Sequence, residues 1–233
     1  MADRRRSRRR RRRGVKTKTR RISVSTIILI IALIVFIISA VQLIRIVKGY
    51  LDGEGEYNDV RDLAITNDEG DKFSVDFDAL LAINPDTIGW IRFYPEPKEI
   101  SYPVVQGTDN DYYLHNTFSA NENTLGAIFL NYTNKSDFSD RNSIIYGHRM
   151  RDGSMFRHLE DYEDESFWED NPYFYIYTVD GRELKYHIYS TGVVKDTSDT
   201  YLTEFASDAE FQSFIDYTKS VAAYDTGGGG DHQ

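Results

Sequence analysis

The sequence predicts a mainly β domain with helical insertions, carried behind one N-terminal transmembrane helix. Three observations predict it. Ile22 to Ile44 is an uncharged run of 23 residues dominated by Ile, Leu and Val. From Ile88 onward, short β-branched and aromatic runs alternate with Gly, Asn, Asp and Pro, the pattern of strands bounded by turns. Ser207 and Glu210 then stand at capping-box spacing before an amphipathic stretch, which marks a closing helix.

The N-terminal elements follow from charge. Met1 to Arg21 holds eleven Arg and two Lys against one Asp, so it carries +12 and leaves −21 on the remainder of a chain whose total is −9. At about 1.5 Å per residue the apolar run makes a helix of roughly 35 Å, enough to cross a hydrocarbon core of about 30 Å with some tilt. A cleaved signal peptide is the competing assignment. Its apolar core would be about 7–15 residues and would end at a small-residue cleavage site. Here the run passes Ala40 into Gln42-Leu43-Ile44 without one, which favours an uncleaved anchor. The expected division is a basic cytoplasmic tail at 1–21, a transmembrane helix at 22–47, and an acidic extracellular bulk, oriented by the positive-inside rule. The run Arg8 to Arg13, read alone, would suggest nucleic acid. Beside a membrane span it is an orientation signal that also contacts anionic lipid heads. The acidic exported part repels a phosphate backbone, so no nucleic-acid partner is expected.

The chain has 233 residues and no cysteine. One ordinary domain plus appendages fits that length. Disulfides, thiolate metal sites and thiol catalysis are excluded within the chain. Seventeen Tyr and 13 Phe supply core material in their place.

Along the exported part, residues 48–72 are polar and acidic and are expected as a juxtamembrane stalk, partly helical. Phe77, Leu80 and Leu81 behind Asp76 have the spacing of a short capped helix, and Asn84-Pro85-Asp86 is a turn. Strands are expected at 88–93, 102–105, 127–131 and 143–146. The pair Asp180-Gly181 marks a tight hairpin turn between strands at 173–178 and 184–194. Helices are expected at 155–162 and 165–169, and a last one presents Phe211, Phe214, Ile215 and Thr218 on one face. After Thr226, the stretch 227–233 is a Gly-rich tail that adds nothing to a core.

Several ordered segments together resemble a class B sortase, the membrane-anchored cysteine transpeptidase of Gram-positive bacteria. They are Ile88-Gly89-Trp90-Ile91, Tyr102 to Asn110, Tyr112-Tyr113-Leu114-His115, and Asn142 to Met150 followed by Asp152 to Phe156. The resemblance runs from about Phe73 to Thr226. It implies a sortase-like closed β-barrel of eight strands with N-terminal helices, here lacking the last strands, so that 73–226 is an incomplete, C-terminally truncated sortase domain. It implies a reaction in which a cysteine thiolate attacks a sorting-signal peptide and the acyl-enzyme is resolved by an amine of the cell-wall precursor. The implied partners are therefore the sorting-signal peptide, the precursor amine, and the membrane through Ile22 to Ile44. The histidine of the family's Tyr-Gly-His segment corresponds to His148, the expected catalytic residue. The strands that carry the family's cysteine and arginine have no counterpart here, so this chain is expected to be inactive.

Imidazole exchanges a proton near neutral pH, which suits His148 to protonating a leaving amine. Of the other histidines, His115 is expected to pack or hydrogen-bond, His158 to lie on a surface helix, His187 to lie in a hairpin strand, and His232 in the tail. None has metal-ligand spacing, and no cofactor is expected. Ser143 and Ser154 flank His148 as substitute nucleophiles, but neither sits in a nucleophile elbow. The acidic stretch 160–164 lacks the alternating ligands of a calcium loop. Two explanations stay open: a fragment or interrupted reading frame, or a noncatalytic module that binds sorting signals or another partner on the cell surface.

Overall fold

The computed structural model describes residues 23–69 and 72–227. The basic tail, His232 and the tail beyond Gly227 lie outside the described residues. The chain divides into two compact units, Met1–Arg45 and Ile46–Gln233. In the first, the described residues are the opening of helix α1 (Val24–Ala64), whose apolar window has a mean hydropathy of 3.2 and is wholly unburied. It is one helix long and apolar enough to cross a membrane.

In the second unit, α1 runs on to Ala64 and buries Gly53, Tyr57, Val60 and Ala64. Steps of four, three and four residues keep those positions on one stripe of the helix. Residues 48–64, which composition reads as a stalk, are thus helix with one face in the core. Asp52, Glu54, Glu56 and Asp59 occupy the other faces and dominate the local composition. The chain then forms an antiparallel hairpin of β1 (Ile65–Glu69) and β2 (Lys72–Val75). Helix α2 (Phe77–Ile83) starts as predicted, with the Asp76 carboxylate accepting from Ala79 N at 3.0 Å and Leu80 fully buried.

A six-stranded sheet carries the rest: β3 (Thr87–Phe93), β4 (Ser101–Val105), β5 (Ile128–Leu130), β6 (Ile145–Tyr146), β7 (Tyr173–Thr178) and β8 (Glu183–His187). Its order is β6-β5-β4-β3-β7-β8, antiparallel except between β4 and β5. A parallel pair needs a crossover. Here it is the segment 106–127, which contains the short helix α3 (Tyr112–His115). Every residue of β4 and β5 is buried, whereas β8 alternates between exposed and half-buried positions. That gradient fits central strands covered on both faces and an outer strand with one face in water. Among the described residues neither the outer edge of β6 nor that of β8 is paired.

The β7–β8 turn forms at Asp180-Gly181, with Gly181 at φ +85°. Strand β8 stops at His187, short of the expected 194: Ile188 N still donates to Pro172 O, but proline has no N–H to return the bond, and Trp168 Nε1 takes the Ile188 carbonyl instead. Nor does a helix start at 155. Met155 is left-handed at φ +57° and bridges to Arg149, so a 3-10 turn begins only at Arg157 and ends at Glu163. Helix α4 (Glu165–Asp170) follows. Helix α5 (Asp208–Ser220) is capped by Ser207 Oγ, which accepts from Glu210 N, while Glu210 reaches back to Ala206 N. Phe205, Phe211 and Phe214 pack as a ring cluster with centroids 5.0–6.1 Å apart.

Candidate active site around His148

His148 stands two residues past β6, which pairs with β5 through Phe129↔Tyr146 and Leu130↔Ile145. The Tyr146 ring lies 5.2 Å from that of Phe129, fixing the strand that delivers the histidine. Between Tyr146 and His148 the backbone passes so close to its neighbours that only glycine fits. A Cβ on Gly147 would lie 2.4 Å from Ile128 Cδ1 and 2.6 Å from Phe156 Cδ2. Past His148 the chain folds back, with Phe156 N donating to His148 O at 2.9 Å and Arg149 bridged to Met155. The Glu160 carboxylate ion-pairs with both Arg149 and Arg157.

The imidazole is half-buried, and its Nε2 lies 2.8 Å from Leu114 O. A carbonyl only accepts, so the hydrogen sits on Nε2 and the neutral ring keeps its lone pair on Nδ1. Beside that carbonyl, against the same edge of the ring, lies Gly126, at φ +59°. A Cβ there would fall 2.7 Å from Tyr113 O, 2.8 Å from Leu114 O and 3.0 Å from His148 Cδ2. Segment 113–126 therefore packs against the Nε2–Cδ2 edge of the ring and supplies the carbonyl that accepts its N–H. Such a ring can take up and release a proton at Nδ1 without losing its anchor.

The remaining residues singled out by the sequence are not assembled here. His115, expected to pack or to hydrogen-bond, is exposed and does not pack into the core; its Nε2 lies 3.8 Å from Asp111 Oδ1. Its backbone carbonyl serves instead, accepting from Asn123 N. His158 is partly buried on the 3-10 turn with Nδ1 2.9 Å from Asp161 Oδ2. His187 is exposed on β8 beside Tyr173 and Trp168. Ser154 Oγ donates to Asp152 Oδ1 at 2.7 Å, and Ser143 Oγ is buried without a hydrogen-bond partner among the described residues. Among the described residues no group of three or more His, Asp or Glu could hold a metal ion. A groove of about 740 Å³ runs along α1, lined by Asp52, Glu56, Asp59, Leu63 and Glu122 among others, and does not include His148.

The sequence missed Leu114, Gly126 and Tyr57 as supports of the site. Leu114 contributes only its carbonyl, which leaves no side-chain signature. Tyr57 was findable, since Gly53, Tyr57, Val60 and Ala64 have helical spacing inside a polar stretch.

Gly147→Ala is expected to lower stability by about 1–3 kcal/mol, the usual penalty for overpacking a filled site. Urea titration of the full chain in detergent micelles checks this. An unchanged midpoint would mean Ile128 and Phe156 move aside freely.

A profile of the sortase domain matches residues 95–215. The chain is 35% identical to sortase B of Listeria monocytogenes over 166 residues, 70% of this chain and 65% of that protein. It is 36% identical to sortase B of Staphylococcus aureus over 145 residues, 61% of this chain and 57% of that protein. Less than two thirds of the length of each of these relatives is thus spanned. In three dimensions it is similar to sortase B from B. anthracis in complex with AAEK1, with a TM-score of 0.67, 30% identity and coverage of 79% of this chain and 87% of that one. It is also similar to a Staphylococcus aureus sortase B–substrate complex, with a TM-score of 0.62, 30% identity and coverage of 66% and 70%. The architecture, a curled β-sheet half-barrel with helices, is that of these sortase B structures.

Proposed function

This chain belongs to the sortase family, on its sortase B branch, and from that membership we propose that it is a membrane-anchored surface domain shaped for sorting-signal transpeptidation. In that chemistry a thiolate attacks the carbonyl carbon of the scissile bond, an acid protonates the departing amine, and an acceptor amine later attacks the acyl-enzyme and displaces the thiolate. The observation that carries the reading is the anchored ring of His148, which has Nδ1 available for that proton. The 233 residues contain no cysteine, so this chain by itself has no thiolate to form the acyl-enzyme.

A second reading is favoured by one specific pairing of facts: the histidine cradle is intact and the nucleophile is absent. On it, the domain is a noncatalytic module that holds a sorting-signal peptide or another partner at the cell surface. Titrating a sorting-signal peptide into the full chain in detergent micelles tests what the two readings share. Both expect saturable shifts of the His148 ring resonances, and a spectrum unmoved at millimolar peptide would contradict both.

The anchor is α1, and the charge step across it orients the chain with the basic tail inside and the acidic domain outside. Protease added to cells stripped of their wall is expected to digest the acidic domain and spare the tail. Full protection of the acidic domain would reverse the topology.

A further inference from the structure

We propose that the second half of α1 positions His148, and that Tyr57 is the positioning residue through which it acts. The inference rests on the reading of His148 as the acid/base group. Tyr57 is 2% exposed, and its hydroxyl ties the two ends of the segment 118–126 to the helix. It donates to Gly126 O at 2.7 Å and accepts from Phe118 N at 3.3 Å. Burial pushes the Tyr57 phenol well above its ordinary pKa, so it remains a donor across the whole physiological range.

Neighbouring contacts fasten the same segment to the same face. Glu56 accepts from Ser119 N and from Asn121 Nδ2, each at 2.9 Å. Asn123 Nδ2 donates to Gly49 O at 2.9 Å. At Gly53 a Cβ would lie 3.0 Å from Leu125 Cδ2, so the helix approaches as closely as a glycine allows. Together these contacts leave Gly126 little freedom of its own.

Gly126 is the point where the helix meets the site. Its backbone lies against both the His148 ring and the Leu114 carbonyl that the ring bonds. Moving Gly126 therefore changes ring support and hydrogen-bond length at once. Packing is dense enough that a displacement of a few tenths of an ångström is passed on rather than absorbed. Tyr57 touches neither the ring nor a reacting atom, so its role is placement.

The test is the hydrogen exchange of the His148 Nε2–H, read by NMR on the 15N-histidine-labelled full chain in detergent micelles. Tyr57→Phe, which removes only the hydroxyl, is expected to speed that exchange about tenfold, the scale of one lost hydrogen bond. Tyr162→Phe is the control, because it removes a comparable buried bond, Tyr162 OH to Asn171 O at 2.8 Å, away from the site. It is expected to leave the His148 signal unchanged. Should Tyr57→Phe fail to fold, Glu56→Ala loosens the same segment from a partly exposed position and should speed the exchange in the same direction. Unchanged exchange in folded Tyr57→Phe, or equal acceleration in Tyr162→Phe, would overturn the proposal. Because the readout is the ring's own hydrogen bond, failure of peptide binding would count against the functional reading and not against this one.

Discussion

Trp90→Ala is expected to cost about 3–5 kcal/mol, the range for removing a large aromatic side chain from a closed core. Trp90 is fully buried in β3, the strand flanked by β4 and β7, where it faces Pro103 on one side and Tyr177 on the other. Its indole Nε1 donates to Ser101 Oγ at 3.0 Å, and its ring lies 6.4 Å from that of Phe73. Truncation leaves a cavity between the sheet and the β1–β2 hairpin and strands the buried Ser101 hydroxyl. Domain stabilities of about 5–15 kcal/mol leave little margin for that loss. Urea titration of the full chain in micelles measures it, with Leu51→Ala as a surface control at a side chain 63% exposed. The control should shift stability by no more than about 0.5 kcal/mol. A change below about 1 kcal/mol for Trp90→Ala, outside the usual range for a large buried aromatic, would mean that the sheet is not held together at β3.

Much of this arrangement was legible in the sequence. Strands β3 to β7 have strong local signals because their residues are β-branched or aromatic and end at Gly, Pro, Asn or Asp. Asp76 and Ser207 cap the helices they were expected to cap, and Gly181 takes the positive φ that its turn requires. His148 could be placed just beyond a strand because the run Ile144-Ile145-Tyr146 has strong β propensity and stops at Gly147.

What stayed hidden has a common physical cause: it depends on contacts between distant residues. The stretch 48–64 looks like a stalk by composition, and only the packing of Tyr57 against Gly126 and Phe118 makes it core helix. Met155 should continue a helix by propensity, yet its N–H donates to Tyr102 OH and its φ is positive, so tertiary geometry prevails. The cradle of His148 is built from two glycines and a carbonyl. Gly126 and Gly147 look like ordinary loop residues until the close approach of Tyr113, Leu114, Ile128 and Phe156 is seen.

On the proposed reading, His148 is an acid/base group in a chain that contains no thiol for it to serve, and the decisive assay is turnover of a fluorogenic sorting-signal peptide by the purified full chain in detergent micelles. Transpeptidation by this family's chemistry proceeds through a thioester acyl-enzyme, and a chain with no cysteine has no thiol on which to form one. The expected outcome is no cleavage above the peptide's uncatalysed background, with or without an acceptor amine, and no acyl adduct in the mass spectrum of the intact chain. Cleavage that resists thiol-blocking reagents and vanishes in His148→Ala would refute it. It would show that another group, with Ser143 the first to replace by alanine, acts as nucleophile beside His148.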